Sequence, residues 1–245
     1  MHRLMRVDEA NPMNSLRLTV QAAFLGLALT AINVGAQVYT SVALPSDKLN
    51  ANIQTWTNGT GYSGLFPSTQ TWSGVPITLT SNASGNNVFG AGAGVLDLSV
   101  SLFGADSVYT IINSAWGEKG NTVGSVRFIG TGGLVHTVNL VEGFNVRDHY
   151  NNTSAYTDEL TDPNSMNVFT SSTGVRLDMQ KFDLPDEFLT QTLTSIQFTS
   201  AGGSPQGQPF LAAATVMAIP EPETYALLLS GLALVGVVIR RCWRC

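Results

Sequence analysis

The chain has 245 residues, 24 glycines, two cysteines, only 12% charged side chains and a formal net charge of −5. That balance lacks the basic excess needed to hold nucleic acid or an anionic membrane surface. Both cysteines, Cys242 and Cys245, lie at the chain end, so no disulfide framework staples the rest.

In chain order, the first segment reads as an export signal over residues 1–36. Arg17 supplies a short basic region after Met13, an apolar stretch runs from Leu18 to Ile32, and Val34-Gly35-Ala36 forms a small-residue cleavage site before Gln37,. Asp8 and Glu9 are out of place in such a leader, which makes Met13 an alternative start. Residues 37–218 then form a mature region of roughly 180 residues, enough for one domain with a full core. Its count of about six basic against about thirteen acidic side chains makes it net acidic.

Its opening stretch, Leu49 to Ser73, reads as polar loop carrying Trp56, Tyr62, Phe66 and Trp72. Aromatic rings on polar loops stack on the apolar faces of sugars, so Trp56 and Trp72 are candidate ligand-binding residues; the same rings could instead plug the ends of a sandwich. From there the hydrophobic period is two. Leu96, Leu98, Val100 and Leu102 alternate with polar residues, as do Val175, Leu177 and Met179, and Ile196 and Phe198,. Further strands are expected at 75–80, 108–114, 123–129, 134–141, 168–172 and 210–217. Gly and Asn clusters at 84–87, 90–94, 117–121 and 130–133 mark the turns between them. Nine to eleven short strands without an amphipathic helix predict an all-β fold, an antiparallel two-sheet sandwich of jelly-roll-like kind.

Between strands, Glu142 to Asn152 is the densest polar segment, continuing through Asp158, Glu159 and Asp162. Arg147 beside Asp148 is expected to form an internal bidentate pair locking this loop. Arg147, Asp148 and His149 are alternatively ligand-binding, and Asp148, Asp158, Glu159 and Asp162 are weak candidates for a Ca²⁺ site, although their spacing fits no known calcium loop. His136 shares a strand face with Val138 and Leu140; His136, His149 and Glu142 have no helix or tight turn to bring them to zinc distance. No nucleophile elbow and no phosphate-cradling loop are present. The expectation is therefore a non-enzymatic protein without a cofactor; a polysaccharide hydrolase or lyase remains an alternative, because a carboxylate pair across a cleft is invisible in sequence.

The last segment, residues 219–245, has three parts. Pro220-Glu221-Pro222-Glu223 is acidic and resists helix formation. An apolar run at about 225–239 would be a transmembrane helix of roughly 22 Å, short against the roughly 30 Å hydrocarbon core. Arg240, Arg241 and Arg244 then form a basic stop on the cytoplasmic side,. Ile219 to Leu229, Gly231 to Gly236 and the terminal arginines resemble the PEP-CTERM sorting signal of Gram-negative bacteria almost position by position, apart from the Cys242-Trp243-Arg244-Cys245 ending. That resemblance implies an inner-membrane precursor, recognition by exosortase, and delivery to the cell surface or the exopolysaccharide matrix, in settings such as biofilm. The stretch from Leu140 to Val216, with Glu142-Gly143, Arg147-Asp148, Val175 to Gln180 and Gly207 to Thr215, is similar to uncharacterised PEP-CTERM surface proteins and implies no activity. The domain itself is either a matrix component or a lectin-like polysaccharide-binding module.

Overall fold

A computed structural model of the chain describes residues 37–57, 61–90, 92, 94–151, 158–201, 207–219 and 230–233. The expected signal segment, the Pro220 to Glu223 motif and Arg240, Arg241 and Arg244 lie outside them. Of the expected transmembrane run only 230–233 is described, with helical backbone. No helix among the described residues is long and apolar enough to cross a membrane.

The described strands are β1 (Val38–Val42), β2 (Ser68–Trp72), β3 (Val75–Leu79), β4 (Phe89–Gly90), β5 (Gly94–Phe103), β6 (Ala105–Asn113), β7 (Thr122–Gly130), β8 (Val135–Val141), β9 (Ser165–Thr170), β10 (Arg176–Asp183), β11 (Thr192–Ser200) and β12 (Phe210–Ala218). They form a six-stranded sheet in the order β1-β12-β6-β10-β9, with β4 also on β12, a four-stranded sheet β5-β11-β7-β8, and the hairpin β2-β3. The pairings are antiparallel. Every strand expected from the period-two pattern is present within a few residues of its expected bounds. β1, β2 and β4 were not expected: β1 and β2 are mostly polar, and β4 has two residues.

Leu96, Leu98, Phe128, Ile196 and Phe198 of the four-stranded sheet share one buried core with Val108, Ile112, Phe182 and Val216 of the six-stranded sheet. The two sheets therefore pack face to face. The other face of the six-stranded sheet is covered as well. Ile111, Leu177, Met179 and Ala213 share a second core with Ile77 and Leu79 of β3 and with Ile53 and Tyr62 from the preceding segment. This corrects the two-layer expectation: the β2-β3 hairpin with Ile53, Tyr62 and Leu65 is a third layer, and Trp56, Tyr62, Phe66 and Trp72 are largely packing residues.

Coverage on both faces leaves every residue of β12 buried. The Ala212-Ala213-Ala214 run fits there, since small side chains admit a close layer on each side. The hairpin that supplies part of the third layer turns at Ser73 (φ 50) and Gly74 (φ 82), the two left-handed residues required by a tight hairpin turn,. Elsewhere the chain repeatedly changes sheets, from β5 to β6, β6 to β7, β8 to β9, β10 to β11 and β11 to β12.

Candidate functional site

The described residues 142–151 and 158–162 are tied to β10 through polar groups, most of them buried. Arg147 does not pair with its neighbour Asp148. Its Nε and Nη2 each donate to Asp178 of β10 at 2.8 Å. Asp178 is fully buried and also accepts from Asn113 at 2.7 Å and Asn167 at 3.1 Å. Four donors on one carboxylate offset its desolvation, which an isolated buried charge would not survive. The expected pair of Arg147 with Asp148 is not formed: the partner is Asp178, 31 residues away in a strand.

Asp148 has a different task. It is buried, and its two oxygens accept the backbone N–H groups of Trp116 and Tyr150, each at 2.7 Å. Burial pushes its pKa up, against the downward pull of these bonds,. Arg176 of β10 donates Nε to the Asp148 carbonyl at 2.9 Å and pairs through Nη1 with Asp158.

His149 is buried, not displayed on a polar loop. Its Nδ1 lies 2.8 Å from the Tyr62 hydroxyl, which itself donates to the Arg176 carbonyl at 3.1 Å. Burial lowers the pKa of His149 to about 4. Around it the rings of Trp56 and Phe210 meet it edge-on, with centroids 5.6 and 5.7 Å away, and Trp56 also neighbours Trp116 at 6.4 Å.

Glu142 is the most isolated polar group. It is 1% exposed, and neither carboxylate oxygen has a hydrogen-bond partner among the described residues. Burial pushes its pKa up to about 7; the adjacent Ser114 hydroxyl opposes this and Asp148 adds to it. The Ser114 contact falls short of a formed hydrogen bond. Gly117 and Gly207 back directly onto the carboxylate, and a Cβ on Gly117 would fall inside it.

The structure therefore brings Trp56, Arg147, Asp148 and His149 into one neighbourhood. Trp72 ends β2 and packs on the second core, with no ring contact to Trp56 among the described residues. The four calcium candidates do not converge. Asp148 caps two backbone amides, Asp158 pairs with Arg176, Glu159 with Lys119, and Asp162 with Asn164 and Ser165. Among the described residues no group of three or more His, Cys, Asp or Glu could hold a metal ion. His136 is half-buried and stacks on Phe128 at 6.1 Å, far from a ligand set.

Asp178, Arg176, Glu142, Trp116 and Tyr150 were not singled out as a site by sequence reasoning. The signal for the first two was present: Arg176, Asp178 and Gln180 place three polar groups on one face of a strand whose other face is apolar. No curated protein matches the chain. The segment that begins at Ala218, where β12 ends, is specific: residues 218–241 match the PEP-CTERM protein-sorting motif, and the chain carries that signal.

Proposed function

We propose that this protein is a non-enzymatic component of the bacterial cell surface or exopolysaccharide matrix, built on a jelly-roll-like sandwich and delivered by exosortase. The observation that carries the reading is the sorting motif at residues 218–241, placed directly after the strand that completes the central sheet. The motif implies an exported, membrane-anchored precursor that exosortase processes. A non-enzymatic role is supported by the neighbouring carboxylates Glu142 and Asp148, which lie inside the domain rather than across a cleft.

Changing Pro220, Glu221 and Pro222 together to alanine keeps an apolar tail and removes the helix-resistant acidic segment. Export then proceeds while processing fails, and fractionation finds full-length protein held in the inner membrane. Equal surface delivery of mutant and wild type would overturn exosortase sorting.

A second reading, a lectin-like polysaccharide-binding module, is favoured by one observation: Trp116 and Tyr150 are exposed while their backbones are clamped from beneath by a single buried carboxylate. Release of sugar products on incubation with polysaccharide would instead support the hydrolase or lyase alternative.

A further inference from the structure

The clamp made by Asp148 costs the domain stability twice. A carboxylate is taken out of water with no cationic side chain among the described residues bonded to its oxygens, and Trp116 is held at φ 58, a backbone region that bulky side chains avoid,. What the clamp holds in place is not core. Trp116 and Tyr150 are each 38% exposed. Beneath them Trp56, His149 and Phe210 pack edge-to-face as a rigid floor. Strained backbone that the surroundings enforce at a solvent-facing ring is characteristic of binding sites.

We propose that Trp116, Tyr150 and the half-buried Trp56 form a stacking platform for the pyranose rings of a neutral polysaccharide, an inference that rests on the lectin-like reading above. A pyranose offers an apolar face to an aromatic ring and keeps its hydroxyls at the rim, where amides and hydroxyls meet them. The rings of Trp56 and Trp116 lie 6.4 Å apart and are tilted by 37°, so the half-buried Trp56 extends the aromatic surface that the more exposed Trp116 offers to a sugar ring. Charge selects the class. The cations around the platform each face a carboxylate, Arg147 the buried Asp178, Arg176 Asp158 and the exposed Lys119 Glu159, and the Arg176 Nη2 that has no hydrogen-bond partner among the described residues is buried away from solvent. Among the described residues there, none remains to neutralise a uronate, sulfate or phosphate, and the domain as a whole is acidic,. Holding the rings before the ligand arrives removes part of the ordering cost of binding.

The test titrates the full chain, purified in detergent, with cellohexaose, laminarihexaose and maltohexaose as neutral probes. Oligoalginate serves as the acidic probe and a polyproline peptide as the non-sugar one. Binding is read by tryptophan fluorescence and calorimetry. At least one neutral hexasaccharide binds, and Trp116→Ala and Tyr150→Ala each weaken it about tenfold, as the loss of one stacked ring implies. Trp116→Leu, which keeps apolar cover without a ring face, shows the same loss should Trp116→Ala fail to fold. Unchanged affinity in all three variants would misplace the site while leaving the lectin-like reading standing. Failure of the wild type to bind any sugar would overturn both. Preference for oligoalginate or for the peptide would overturn the neutral-sugar assignment.

Discussion

Arg147 and Asp178 hold the long loop to the central sheet through two parallel 2.8 Å hydrogen bonds, with the carboxylate fully buried and the guanidinium side chain 15% exposed. Replacing Arg147 by alanine leaves that carboxylate with only its two asparagine donors. The expected loss is about 3 kcal/mol or more, which for a domain of this size lowers the melting temperature by roughly 6 to 12 °C. Lysine at the same position restores charge but not the fork, so its melting temperature falls between the two. A drop below about 2 °C in the alanine variant would show the pair to be energetically idle.

Glu142 and His149 oppose one another in pH dependence. Glu142 has its folded pKa raised from 4.5 to about 7, so the folded state holds the proton more tightly. The stability it contributes is fully present below 4.5 and is lost as pH rises through 7. His149 is lowered from 6.5 to about 4, so its contribution is present above 6.5 and is lost as pH falls through 4. Each shift amounts to roughly 3 kcal/mol, and between 4.5 and 6.5 the two nearly cancel. Urea unfolding across that window should show stability rising with pH in Glu142→Gln and falling with pH in His149→Gln. Profiles parallel to the wild type in both variants would rule out this opposition.

The packing of Gly117 on Glu142 predicts a non-additive pair. Gly117→Ala places a methyl group where the carboxylate sits and costs about 2 kcal/mol or more through overpacking. In a Glu142→Ala background the space is free, and the same change costs well under about 1 kcal/mol, giving a coupling within the range seen for touching residues. Additive melting shifts would refute the contact.

Asp148→Asn keeps the shape but offers one acceptor oxygen for two backbone N–H groups. Either Trp116 or Tyr150 then loses its bond, at about 1 to 3 kcal/mol for the group left unpaired. Hydrogen exchange resolves which: one of the two amides should exchange faster by at least about tenfold, with β12 unaffected. Unchanged protection at both would contradict the shared clamp.

Strands such as β5 were legible because one face carried an uninterrupted apolar alternation, as in Leu96, Leu98, Val100 and Leu102, whereas the mostly polar β1 and β2 and the two-residue β4 carried none. The layering was not. Val175 to Met179 reads as a half-buried strand, yet Arg176, Asp178 and Gln180 are buried too; in a strand covered on both sides the polar face is a network and not a surface. Local sequence could not reveal that Arg147 skips its neighbour for a partner 31 residues on, since the choice is made when β10 lies next to the loop. Trp116 was hidden for a related reason. It stands in a Gly-rich turn with no visible periodicity, and its importance comes from a carboxylate that the fold delivers from another segment. The sorting signal was fully legible because it is read as a linear string.

The place of β12 has a consequence for the order of events during export. It pairs with β1, β4 and β6, so the middle of the six-stranded sheet is supplied by the part of the domain made last. Until it arrives, β1 has no neighbour in that sheet and β6 presents an open edge, the kind of surface that recruits unwanted strands. Ile219 then donates its N–H to the Gly104 carbonyl at 2.9 Å, pinning the residue immediately ahead of Pro220. Completion of the sheet and the fixing of Ile219 are thus coupled: the residue that leads into the sorting motif is held only once β12 is in place.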